Sequence, residues 1–270
     1  MGYYIKVERD VKIYVEDLNP EGCETILFIH GWPANYRMFE YQFAELACRG
    51  IRCIGVDTRG FGMSDKPISG YSYDRLADDI RCVIDALGLQ NITLAGHSTG
   101  GAIAIRYMSR HAGHGVAKLA LFAAAAPSLI QLPGFPYGLQ KQAVLSIIQQ
   151  TYTDRPSMLK GFGDMFFFQH ITEAFSEWFF HLGLEAAVWS TAAVAQIWLD
   201  ETLFSDLAEI RVPTLILHGI HDKVVHFPLG EAQHEGIRNS NLVPFRFSGH
   251  GSMFDEREKF NKELIRFVEK

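Results

Sequence analysis

Six short apolar runs, spaced by longer stretches of helical pattern, constrain this chain more than any other feature. They lie at 25–29, 51–56, 92–95, 116–123, 214–217 and 242–247, are rich in Ile, Leu and Val, and end close to a Gly, His or Asp. Runs this short and this continuously apolar suit strands buried on both faces of a parallel sheet. Helical stretches at 37–49, 73–87 and 100–111 fit between them. That alternation implies right-handed crossovers and an α/β architecture. Two further strands are expected at 3–7 and 11–15, turning near Arg9 and Asp10.

The rhythm breaks between residues 127 and 206. This stretch has no strand alternation, is too long for one crossover helix and is dense in aromatics: Phe162, Phe166, Phe167, Phe168, Phe175, Trp178, Phe179, Phe180, Trp189 and Trp198. We read it as a helical cap inserted after the sixth strand. The chain then divides into a core of residues 1–126, a cap of 127–206 and a second core segment of 207–270. The plainer alternative is a helical subdomain with no part in ligand binding, its aromatics forming only the cap's own core.

The sharpest local motif is Gly96-His97-Ser98-Thr99-Gly100, placed directly after the 92–95 strand and directly before a helix that opens Gly100-Gly101-Ala102. A strand-to-helix turn this tight leaves no room for side chains two residues either side of the serine, so glycine is needed there. The serine hydroxyl then projects from the C-terminal edge of the sheet, near a helix N-terminus that favours developing negative charge. A serine hydroxyl needs a base. Of the 11 histidines, His250 stands straight after the last strand with a glycine on each side. His97 adjoins the serine but is expected to point away from it. Asp222 follows the 214–217 strand and is the acid expected to orient His250. The position after the preceding strand reads Ala123-Ala124-Ala125-Ala126-Pro127 and offers no carboxylate. An oxyanion hole needs two backbone N–H donors. Thr99, after the serine, is one. Trp32, in His30-Gly31-Trp32-Pro33, is the other, because Pro33 has no N–H to give.

These residues carry a family resemblance. His30-Gly31-Trp32-Pro33, the run Asp57-Thr58-Arg59-Gly60-Phe61-Gly62-Met63-Ser64-Asp65, Gly96 to Gly101, His218-Gly219 with Asp222, and His250 resemble the α/β-hydrolase superfamily over nearly the whole chain. The order Ser98, Asp222, His250 is the order of that superfamily. Among its members the chain is most similar to bacterial arylesterases and cofactor-free haloperoxidases. The resemblance implies a mostly parallel eight-stranded sheet, a cap after the sixth strand, and cofactor-free hydrolysis of small or acyl esters through an acyl-enzyme. Trp32-Pro33 matches relatives that make peracids, so perhydrolysis is an expected side activity. Two alternatives stay open: a lactone hydrolase acting on N-acyl homoserine lactones, and a signalling receptor on a hydrolase scaffold. C–C bond hydrolysis keeps the same fold. Dehalogenase and epoxide hydrolase chemistry is disfavoured, because those relatives carry Asp where Ser98 stands. We expect Trp32, Phe162, Phe166, Trp189 and Val224 to contact the substrate.

Composition excludes some classes. With a net charge of −6, a pI near 6.0 and no long single-sign block, the chain lacks the basic footprint of a nucleic-acid binder. No run approaches the roughly 20 apolar residues of a membrane helix. The first ten residues contain no apolar core of a secretory signal, and Lys6 excludes a myristoylation site at Gly2. Cys23, Cys48, Cys53 and Cys82 form no CxxC pair, so reduced thiols and a cytoplasmic location are expected. No metal is expected: the cluster His218, His221, Asp222 and His226 matches no ligand spacing. No dinucleotide is expected either, since Gly161-Phe162-Gly163 is not GxGxxG.

Overall fold

The computed structural model describes residues 1–270. Its eight strands are β1 (Gly2–Glu8), β2 (Val11–Leu18), β3 (Glu24–Ile29), β4 (Ile51–Val56), β5 (Ile92–His97), β6 (Val116–Phe122), β7 (Thr214–Gly219) and β8 (Ser240–Phe245). They form one sheet in the order β1-β2-β4-β3-β5-β6-β7-β8. β1 pairs antiparallel with β2 and β2 with β4; every other pairing is parallel. Every residue of β5 and β7 is buried, which is why those runs are continuously apolar rather than alternating.

Outside the cap, α1 (Glu40–Cys48), α2 (Tyr73–Ala86) and α3 (Thr99–Arg110) follow β3, β4 and β5. Five helices stand between β6 and β7: α4 (Lys141–Thr153), α5 (Arg155–Phe166), α6 (Glu173–Leu184), α7 (Val188–Asp200) and α8 (Phe204–Glu209). Local signals start two of them. Asp154 caps α5 by accepting the Ser157 N–H, and Thr172 caps α6 by accepting that of Phe175, each satisfying a donor that the helix leaves free. The chain closes with α9 (Phe227–Gly236), α10 (Ser252–Asp255) and α11 (Arg257–Val268). Helices α1 and α11 pack together on one face of the sheet, and α2, α3, α8 and α9 form the layer on the other.

The strand order reverses around β3. The chain leaves β3 toward β4 on one side, then returns past it to β5 on the other. The connections part there and open a crevice beyond the carboxyl ends of β3 and β5, where open α/β sheets place their ligands. The loop at residues 30–33 and the turn at Ser98 both lie at this point.

The last strand is shifted by two residues from expectation. β8 spans Ser240–Phe245 rather than 242–247. Phe245 is fully buried, whereas Phe247 is exposed and its N–H donates to Glu256 at 2.9 Å, so the chain has already turned off the sheet toward His250. No single helix is long and apolar enough to cross a membrane, and the four cysteines are free.

Candidate active site

Ser98 sits between β5 and α3 with φ 53° and ψ −119°, a backbone conformation costly for any residue with a side chain. The surroundings hold it there. A Cβ on Gly96 would strike the Gly100 carbonyl, one on Gly100 would strike the carbonyls of Ile29 and His30, and one on Gly101 would strike the Ala124 side chain. The glycines let the turn, the end of β3 and the stretch after β6 meet at van der Waals distance. Ser98 precedes the helix without capping it, so its hydroxyl is not committed to the backbone.

His250 and Asp222 meet from separate loops. His250 Nδ1 lies 2.7 Å from Asp222 Oδ2, with both side chains wholly buried. A carboxylate only accepts, so Nδ1 carries the hydrogen and Nε2 keeps its lone pair. That Nε2 is buried and has no partner within the protein, the Ser98 hydroxyl included. In resting hydrolytic sites this contact is often loose and tightens only with substrate. Asp222 Oδ1 accepts the amides of Val224 and Val225, each at 2.8 Å. Burial alone would raise the Asp222 carboxyl. The attraction of His250 and the hydrogen bonds from His218 and His250 outweigh it and hold Asp222 far below the usual carboxylate range, so it is an anion at any working pH.

Three more buried histidines surround the pair, each in a tautomer set by its partners. His218 Nε2 faces the Val225 carbonyl at 2.8 Å and Asp222 Oδ2 at 3.4 Å, so that nitrogen is the donor. His97 Nε2 donates to the His250 carbonyl at 3.0 Å, and the two rings lie 4.5 Å apart. Burial, then the neighbouring His250 charge, push His97 well below an ordinary histidine. His30 Nδ1 donates to the Gly31 carbonyl at 2.9 Å, and its Nε2 accepts the Thr58 amide at 3.0 Å; burial pulls it down to about 4. His30 and His97 are therefore neutral imidazoles that serve as scaffolding, while His250, held through Nδ1 by Asp222, leaves its Nε2 without a partner.

The remaining parts lie at the head of a cavity of about 410 Å³, mostly apolar, whose walls include Ser98, Trp32, Phe162, Trp198, Leu129, Met158 and Val224. A Cβ on Gly31 would stand 2.5 Å from His97 Nδ1 and 3.1 Å from Ser98 Cβ, so the 30–33 loop lies directly against the serine. Neither the Trp32 amide nor the Thr99 amide donates to any group in the protein. Two unpaired N–H groups flanking a free hydroxyl are suited to an oxyanion.

The family pattern described as alpha/beta hydrolase fold matches residues 24–256. The chain is an α/β-hydrolase. This hydrolase is 48% identical over 99% of both chains to the AB hydrolase superfamily protein YisY of Bacillus subtilis (strain 168). It is 46% identical to the solved esterase EaEST from Exiguobacterium antarcticum, with a TM-score of 0.97 over the whole of each chain. It is also 30% identical over 99% of both chains to the bifunctional esterase/perhydrolase DCH of Acinetobacter calcoaceticus.

The hydrolase corrects two expected substrate contacts. Trp189 does not reach the cavity: it is 38% exposed, and its indole donates to the Pro67 carbonyl at 3.0 Å. It stands nine residues before Trp198, which at about 100° per residue is the opposite face of α7. Phe166 is buried but lies behind the loop that carries His250, its ring 5.0 Å from that of His250 and 5.6 Å from that of His97. It backs the histidine instead of lining the cavity. Of the other expected contacts, Trp32, Phe162 and Val224 line it.

Several site residues escaped the sequence reading. His97 does not point away; it faces His250. Trp198 had only its aromatic character to mark it. Asp255 accepts the amides of Gly249, Phe168 and Gln169 at 2.8, 3.0 and 2.9 Å, and Gly251 donates to the Phe166 carbonyl at 3.0 Å. The His250 loop is thus bolted to the cap. Nothing local in the sequence signals these ties.

Proposed function

We propose that this hydrolase is a serine carboxylic-ester hydrolase. The observation that carries the reading is a strained and uncommitted Ser98 in the wall of an apolar cavity shared with Trp32, supported by a buried His250 with a free Nε2 held by Asp222 and by unpaired amides at Trp32 and Thr99. His250 Nε2 takes the Ser98 proton as Oγ attacks the ester carbonyl. The Trp32 and Thr99 amides hold the oxygen that becomes negative. The imidazolium, stabilised by Asp222, then gives its proton to the leaving alcohol, and water repeats the sequence on the acyl-enzyme. The apolar walls favour an ester with an apolar acyl or alcohol part. The esterase named among the solved relatives and the esterase/perhydrolase among the curated ones support the same chemistry.

The test is direct. Ser98→Ala is expected to lower kcat/KM on p-nitrophenyl esters by about 10⁴-fold or more, and a fluorophosphonate adduct is expected on Ser98 alone by peptide mass mapping. Wild-type turnover in Ser98→Ala, or an adduct elsewhere, overturns the mechanism. Perhydrolysis is a second reading, favoured by Trp32-Pro33 at the oxyanion loop and by the DCH relative. It is checked by peracid formation from acetate and peroxide, abolished in the same variant. Lactone opening uses the same attack on a cyclic ester, and an acyl homoserine lactone in the substrate panel decides it.

A further inference from the structure

Trp198 brings one face of helix α7 to the cavity wall. Thr191, Val194 and Trp198 are spaced by three and four residues and so share that face. The Trp32 indole N–H donates to the Thr191 carbonyl at 2.9 Å, and the Trp198 indole N–H donates to Thr99 Oγ1 at 3.2 Å. The helix itself is fixed to the core: the Ala187 amide and the Ser190 hydroxyl both donate to the Gly60 carbonyl, at 3.0 and 2.7 Å. All of these residues are buried. The two residues whose amides flank Ser98 are therefore tied, through their side chains, to the same cap helix.

The Thr99 amide belongs to the peptide that joins the strained Ser98 to the first residue of α3. Its direction depends on ψ at Ser98 and φ at Thr99, and no hydrogen bond of its own steadies it. A donor for developing charge must hold its place to within about 0.5 Å, and misplacement is felt in rate more than in substrate binding. Restraining the Thr99 side chain restrains the backbone that carries the amide. An indole N–H buried in an apolar wall also has strong reason to keep its acceptor, since losing it leaves a buried donor unpaired.

We propose that Trp198 is a positioning residue for the oxyanion hole: its indole, donated to the Thr99 hydroxyl, holds the Thr99 amide aimed at the head of the cavity. This rests on the serine-hydrolase reading above and makes the cap, through α7, part of the catalytic geometry as well as a wall of the pocket.

A pocket wall and a positioning group differ in what their loss changes. Trp198→Phe keeps most of the ring and removes the donor; Thr99→Val keeps the amide and removes the acceptor. Each is expected to lower kcat on a p-nitrophenyl ester about five- to tenfold with KM within about twofold. Affinity for a phenylboronic acid, whose tetrahedral adduct fills the oxyanion hole, is expected to fall by a similar factor. Because both variants break one bond, Trp198→Phe/Thr99→Val is expected to be no slower than the worse single variant, and Thr99→Ser, which restores an acceptor, to recover most of the loss. A KM rise at unchanged kcat, effects that multiply in the double variant, or a Thr99→Ser as slow as Thr99→Val overturns the inference. If Trp198→Phe fails to fold, the Thr99 pair carries the test. Ser98→Ala is run beside them. Full turnover there sinks the parent reading, whereas an inert Ser98→Ala beside a fully active Thr99→Val sinks only the role of Trp198.

Discussion

Among single residues, the buried titratable groups around the site pull the pH dependence of stability in opposite directions. His30 is held neutral, with its value pulled down by burial to about 4. The unfolded chain takes up a proton near pH 6.5 that the folded chain refuses, so this stability is present above pH 6.5 and is lost as pH falls toward 4. His97 acts in the same direction. Asp57 does the reverse. Burial pushes its carboxyl up to about 6 against the amides of Tyr36 and Met63 that it accepts. Its contribution is fullest below the unfolded value and is lost as pH rises through 6. Between pH 6 and 4, then, Asp57 offsets the histidines. Asp57→Asn is expected to show a steeper loss of stability over that window, by up to about 3 kcal/mol, read from urea midpoints at pH 7, 6, 5 and 4. Parallel curves for variant and wild type would show that Asp57 titrates as an ordinary carboxylate.

Among the elements, two glycines of one chain have opposite meaning. Gly100 stands in the first turn of α3, where an added Cβ would strike the carbonyls of Ile29 and His30. Gly163 lies inside α5, where an added Cβ would meet nothing within 4 Å. Gly100→Ala is expected to cost about 3 kcal/mol or more, because backbone cannot give way as a flexible side chain can, and to abolish ester turnover with it. Gly163→Ala is expected to add about 0.5–1 kcal/mol by lowering the entropy of the unfolded chain and raising helix propensity. Both are read from chemical denaturation. A tolerant Gly100 site would mean that β3 and the serine turn are not in the close contact described above.

For the molecule as a whole, cap and core share one hydrophobic cluster, which runs from the sheet residues Phe28 and Leu94 to the cap residues Phe162, Phe179 and Trp198. Phe166 sits at the junction, with His97 and His250 on one side and Phe162, Phe167 and Phe179 on the other. Three of the four tryptophans belong to the cap segment. If the cluster unfolds as a unit, tryptophan fluorescence and far-ultraviolet circular dichroism trace the same transition in urea. Phe166→Ala is expected to move both together, at a cost of about 3–5 kcal/mol. Two separated transitions would instead make the cap an independently folding part.

Continuous apolar runs and the small residues around Ser98 act locally, through burial and backbone clearance, and so the parallel sheet and the strand–turn–helix at residue 98 could be read from the chain alone. The same pattern gave eight strand runs and the place of the cap, and the family resemblance implied both as well. What could not be read is whatever depends on which distant groups meet. His97 was expected to turn away and faces His250. Trp189 and Trp198, alike as sequence, stand on opposite faces of α7, one bonded to a loop and the other to Thr99. The free Nε2 of His250, the three amides on Asp255 and the ties from α7 to both oxyanion candidates join segments as much as 159 residues apart. Hydrogen-bond partners and side-chain facing over such separations are properties of packing, and only the assembled tertiary structure decides them.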